Sequence, residues 1–260
     1  MRRRAFITLL GGAAVAWPLP SRAQQQALLV VGFLHSATAE AYASMTTAFR
    51  KSLSQAGNVT IEYRWAEGQL ERLPELAADL VRRRASVIFA GGGSEPAFAA
   101  KEATSQIPIV FATGADPVKI GLVESLNRPG GNVTGVSFLL NSLGSKELEI
   151  LHQLQPKATV VAVLLNPNLA TTASQSRDVQ AAANALGREV HVFHASTESD
   201  IERAFVAIDQ MRAGGMLVGA DAFLFSRRDQ LVQLAARYSI ATVYPWSLSC
   251  SGRWAGELWD

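Results

Sequence analysis

The chain has 260 residues, 48% of them hydrophobic, with a formal net charge of +2 and a single cysteine, Cys250. That length allows two modest domains, and a hydrophobic core must hold them, because one cysteine cannot close an intramolecular disulfide. Four of the 24 basic residues are Arg2, Arg3, Arg4 and Arg22; the other 20 face 22 acidic residues, so nothing in the charge points to a nucleic-acid partner.

The first residues have the order of an export leader. Arg2-Arg3-Arg4 form a basic start, Phe6 to Leu19 a short apolar stretch broken by Gly11-Gly12, and Ser21-Arg22-Ala23 a run with small residues that a signal peptidase accepts. This predicts a signal peptide over 1–25, cleaved near Ala23. Arg3-Arg4-Ala5-Phe6-Ile7 also fits the twin-arginine pattern. The apolar run is too short and interrupted to span a bilayer comfortably, although an N-terminal anchor is the alternative reading.

Strand-like and helix-like segments then alternate. Strands are predicted at Ala27 to Leu34, Val59 to Trp65, Ser86 to Ala90, Ile107 to Ala112 and Val133 to Phe138, with helices at Glu40 to Ala56, Leu70 to Arg84, Pro96 to Ser105 and Pro117 to Leu126. Arg128-Pro129-Gly130-Gly131 breaks this series. A second one follows: helix Gly144 to Leu154, strand Val160 to Leu165, helix Thr171 to Leu186, strand Glu189 to His194, helix Asp200 to Arg212, strand Met216 to Gly219, helix Phe223 to Arg237 and strand Ile240 to Tyr244. Strands that are apolar on both faces and separated by single helices imply parallel sheets covered on both sides. The expected fold is therefore α/β, with two Rossmann-like lobes over 26–137 and 138–246.

In such sheets ligands bind beyond the carboxyl ends of the strands, so those ends supply the candidate site. They carry His35-Ser36, Gly92-Gly93-Ser94, Asn166 with Asn168, and an echo between the halves, Gly114-Ala115-Asp116 and Gly219-Ala220-Asp221 followed by Phe223. Glycines admit a ligand close to the backbone, and Ser94 with the free amides before Pro96 could seat a carboxylate. Asp116 and Asp221 could hold an ammonium group, or serve only as helix N-caps. A plain tight turn also accounts for Gly91 to Pro96, which lacks the full dinucleotide fingerprint, the P-loop lysine and the second glycine of a nucleophile elbow. His35, His152, His191 and His194 are too scattered for a metal-binding pattern, and no catalytic set, cofactor or metal site emerges.

Four blocks carry a family resemblance: Arg2 to Gly12; Ile61-Glu62-Tyr63-Arg64-Trp65-Ala66-Glu67-Gly68; Asp116-Pro117-Val118-Lys119 to Leu122; and Asn127-Arg128-Pro129-Gly130-Gly131-Asn132-Val133-Thr134-Gly135-Val136. From Met1 to about Trp246 the chain resembles the bacterial ABC-transporter substrate-binding proteins of the tryptophan/tyrosine-type uptake family. The resemblance implies a type I periplasmic binding protein, acting as a monomer in the periplasm. Such a protein closes on a small-molecule solute and delivers it to an inner-membrane ABC permease with its cytoplasmic ATPase. It also implies Asp116 or Asp221 for an amine, Ser94 for a carboxylate, and Phe33, Phe223 or Tyr244 against a ring. After Trp246 the family continues into a crossover, a return helix and a closing segment. Here Ser247 to Asp260 follows instead, an aberrant tail that predicts a truncated or frameshifted member with an incomplete C-terminus. The alternatives are a secreted α/β enzyme, hydrolase or reductase, and a sensory ligand-binding domain.

Overall fold

The structure, a computed structural model, describes residues 29–55 and 57–246; the expected signal peptide and the segment from residue 247 lie outside the described residues. Among the described residues, nine strands form two all-parallel sheets. The first contains β1 (Leu29–His35), β2 (Val59–Trp65), β3 (Val87–Gly91), β4 (Ile109–Thr113) and β5 (Val133–Ser137), in the order β2-β1-β3-β4-β5. The second contains β6 (Val160–Leu165), β7 (Glu189–His194), β8 (Met216–Val218) and β9 (Thr242–Val243), in the order β7-β6-β8-β9. The architecture is that of the type I periplasmic binding fold.

Position in each sheet follows from side-chain chemistry. β1 and β6 bury five consecutive residues each, as strands covered on both faces must. Edge strand β5 buries only Val133. Its Gly135 lies opposite Phe111 of β4, where a Cβ would come within 2.2 Å of the Phe111 carbonyl oxygen, so no larger residue fits that approach.

Helices α1 (Ala43–Ser54), α2 (Leu73–Arg82) and α3 (Glu95–Ala103) connect the first sheet, and α2 and α3 pack Leu73, Leu80, Ala97 and Ala100 onto Leu34, Ile88 and Ile109. Pro74 and Pro96 stand in the first turns of α2 and α3, where a missing N–H goes unnoticed. The second sheet is covered by α4 (Gly144–Leu154) and α5 (Thr172–Ala185) on one face and α6 (Glu198–Gln210), α7 (Ala222–Ser226) and α8 (Arg228–Arg237) on the other. Thr197 and Asp200 form a capping box that starts α6.

Two expected helices differ. The segment 117–126 is a single turn and a loop: Leu122 N–H bonds the Pro117 carbonyl, and Gly121 turns the chain out of the helix with φ +73°. The expected helix over 223–237 divides into α7 and α8 at Arg227 (φ −102°, ψ 16°), where the Ser226 hydroxyl donates to the Phe223 carbonyl and competes with helix continuation.

Candidate binding cleft between the two sheets

In both sheets the strand order reverses beside the first strand, between β1 and β3 and between β6 and β8. An open α/β sheet has its crevice at that point. The ends of these four strands face one another across two adjoining chambers of about 430 and 260 Å³, and Gly92, Leu169 and Asp221 wall both. The larger chamber is polar, with Ser36, Asn166, Thr197 and Arg227 in its lining. The smaller is aromatic. Phe33, Phe49, Phe89 and Tyr42 come from the first lobe, and Phe225 and Trp246 from the second.

The rings form one continuous stack of contacts. Phe33 lies 5.1 Å from Phe89 and 5.3 Å from Phe49, and Tyr42 meets Phe225 across the lobes at 5.3 Å, with Trp246 edge-on to Phe225 at 5.5 Å. These separations fall in the range where aromatic pairs attract beyond simple burial.

His35 ends β1 beneath this cluster and is 2% exposed. Its Nδ1 accepts the Ala37 N–H at 3.1 Å, which assigns the ring proton to Nε2, and burial lowers its pKa to about 3. The imidazole is therefore neutral at pH 7. Ser36 donates its hydroxyl to the Gly92 carbonyl at 2.5 Å, tying the end of β1 to the turn after β3. Gly92 has φ +82°, and a Cβ there would stand 2.5 Å from both the His35 ring and the Ser36 hydroxyl. Only glycine serves at this point of the floor.

Two carboxylates face the cleft from opposite lobes. Asp221, at the end of β8, caps α7 by accepting the Leu224 N–H at 3.0 Å and also accepts from the Asn166 side chain at 3.1 Å. Glu95, the first residue of α3, accepts the Ala170 N–H of the other lobe at 3.4 Å. Burial raises both carboxyl pKa values above the ordinary range, and for Glu95 the charge of Asp221 adds to the rise. Neither forms an ion pair among the described residues. Arg227, in the polar chamber, is paired with Glu198 at 2.7 Å.

The expected site residues divide as follows. His35, Gly93 and Ser94 line the aromatic chamber, Ser36, Asn166 and Phe223 the polar one, and Gly92 and Asp221 both. Asn168 lines neither; its N–H bonds the Asn166 side-chain oxygen at 3.1 Å and orients it. Asp116 also lies outside both linings, its Oδ1 accepting from the Val118 and Lys119 amides at 3.0 and 3.2 Å. Tyr244 packs against the second core beside Trp246, and burial pushes its hydroxyl up to about 12. The seat expected for a solute carboxylate at Ser94 holds the protein's own Glu95 carboxylate, which folds back over Gly93: a Cβ on Gly93 would lie 2.8 Å from Glu95 Oε2. Glu95 and the rings of Tyr42, Phe49, Phe89, Phe225 and Trp246 were not legible as site residues. An acid in a first helical turn reads as a dipole partner, and aromatic residues in strands and helices read as core.

Two doubly wound lobes with a ligand-sized cleft between their strand ends have the form of the bilobal solute-binding proteins. Residues 30–247 match the family described as ABC transporter substrate binding protein, and the chain belongs to that family. It is 31% identical over 158 residues, 61% of its length, to the "Tyrosine-binding protein" of Clostridioides difficile (strain R20291), and spans 45% of that relative. Among solved structures it resembles a conserved domain protein from Vibrio cholerae (TM-score 0.74, 24% identity, 83% of this chain and 73% of that one). It also resembles an ABC domain from Streptococcus pneumonia solved in complex with L-Trp (TM-score 0.71, 20% identity, 84% and 74%).

Proposed function

We propose that this chain is the exported solute-binding component of an ABC importer. Its cleft captures a small aromatic or amino-acid-like molecule and delivers it to an inner-membrane permease with its cytoplasmic ATPase, without bond chemistry. The lobes correspond to residues 26–137 and 138–246, preceded by a signal peptide that directs the chain to the periplasm. One observation carries the reading: the aromatic chamber, where rings from both lobes surround a space of about 260 Å³ at the point where open α/β sheets receive ligands. Membership of the substrate-binding family supports the transport role. The names of the tyrosine-binding relative and the L-Trp complex support an aromatic solute.

The test is native mass spectrometry of the purified protein for a copurifying small molecule, followed by calorimetry with tyrosine, tryptophan, their amines and aromatic acids. A micromolar or tighter aromatic ligand that raises the melting temperature is the expected result. No binding by any aromatic compound would overturn the reading.

A further inference from the structure

The geometry points to a ligand that is an aromatic ammonium ion without a carboxylate, an arylalkylamine, preferred over the corresponding amino acid. This rests on the proposed solute-capture reading and narrows its ligand class.

Charge is the first consideration. The aromatic chamber is lined by two acidic side chains, Glu95 and Asp221, and by no lysine or arginine among the described residues. Two guanidinium groups adjoin the cleft without lining this chamber: Arg227 is paired with Glu198, and Arg228 stands behind the Phe225 ring at 5.1 Å and bonds the Phe225 carbonyl. A carboxylate entering here would meet two acidic side chains in a dehydrated space, whereas an ammonium group would offset one negative charge and relieve the repulsion between the two.

The second consideration is the place an amino acid's carboxylate would need. The amides at the start of α3 and the Ser94 hydroxyl form the obvious anion seat, and Glu95 covers it from within the chain. Neither carboxyl has a basic partner among the described residues, and burial favours their neutral forms, so a cation placed between them would supply the counter-charge that the ionised forms lack. A third observation concerns neutral polar groups. Tyr42, 8% exposed, and His35, 2% exposed, both line the chamber, and neither the Tyr42 hydroxyl nor His35 Nε2 has a hydrogen-bond partner among the described residues. They are available to a polar ring substituent such as a phenol or an indole N–H. The ring stack itself adds cation–π attraction for an ammonium group held near it.

Calorimetry on the full chain compares tryptamine with tryptophan and tyramine with tyrosine, with indole-3-acetate as the carboxylate-only control. Each amine should bind at least tenfold more tightly than its amino acid, and the acid should bind least. Glu95→Gln should lower amine affinity more than tenfold and shrink the preference. If amino acids bind as tightly as the amines or more so, the inference is overturned while the solute-capture reading stands. If no aromatic compound of the three kinds binds, both fail. Should Glu95→Gln not fold, the order of affinities in the parent protein alone decides the matter.

Discussion

Replacing Asp221 separates its two duties. As the cap of α7 it accepts the Leu224 N–H at 3.0 Å, and it holds Asn166 at 3.1 Å. In Asp221→Asn the amide oxygen still caps, since asparagine and aspartate are nearly equivalent there, and a group whose charged form burial disfavours becomes permanently neutral. The folded-state pKa is raised by burial, so this carboxyl's stabilising contribution is full below its unfolded pKa and lost as pH rises through the folded value. Neutralisation should therefore leave the ligand-free protein at pH 7 melting no lower than the parent. In Asp221→Ala the cap is lost, about 1 kcal/mol, and the Asn166 amide is orphaned at about 1–2 kcal/mol more. At roughly 2–4 °C per kcal/mol for a chain of this size, that variant should melt about 4–12 °C lower. Both variants lose a charge-assisted contact to a cationic ligand, worth about 2–3 kcal/mol, so affinity should fall about 30-fold or more in each. Differential scanning calorimetry and titration calorimetry on the three proteins give both readouts. Equal melting of the Asn and Ala variants would refute the capping argument, and parent-like affinity in Asp221→Asn would remove this carboxylate from ligand binding.

Two further substitutions follow from the same reasoning. Glu147 on α4 has its carboxyl pKa raised to about 7 by burial, with Oε1 unpartnered, so its contribution is present below the unfolded value of about 4.3 and is lost as pH rises through 7. Glu147→Gln should raise stability by about 1–2 kcal/mol at pH 8, allowing for partial solvent screening, and change little at pH 4; equal melting shifts at the two pH values would contradict this. Gly92→Ala imposes a left-handed φ on alanine, at about 1–2 kcal/mol, and drives a methyl into His35 and Ser36. Titration calorimetry should show more than a tenfold loss of affinity, and parent-like binding would show that this floor does not matter.

Much of the fold was readable because strands such as Val160–Leu165 are apolar on both faces, a pattern that only a sheet covered on both sides satisfies. Asp116-Pro117 has the chemistry of a helix start, yet Gly121 and the bond from Leu122 to Pro117 end it after one turn. The strand-end residues Ser36, Gly92, Asn166 and Asp221 were accessible through topology, since α/β sheets direct their crevice to the strand ends. Glu95 was not. Its meaning depends on Ala170, 75 residues away in the other lobe, and on a chamber that no periodicity describes.

The cleft divides its two kinds of attraction unequally between the lobes. Most of the rings belong to the first lobe, whereas the carboxylates come one from each. An aromatic molecule can therefore rest mainly on the first lobe through its ring, with Phe225 and Trp246 adding contacts from the second, while positive charge adds an attraction to a carboxylate on each side. Ring and charge thus pull on the two lobes in different proportions: the ring is held chiefly from one side, whereas a positive charge placed between Glu95 and Asp221 is held from both.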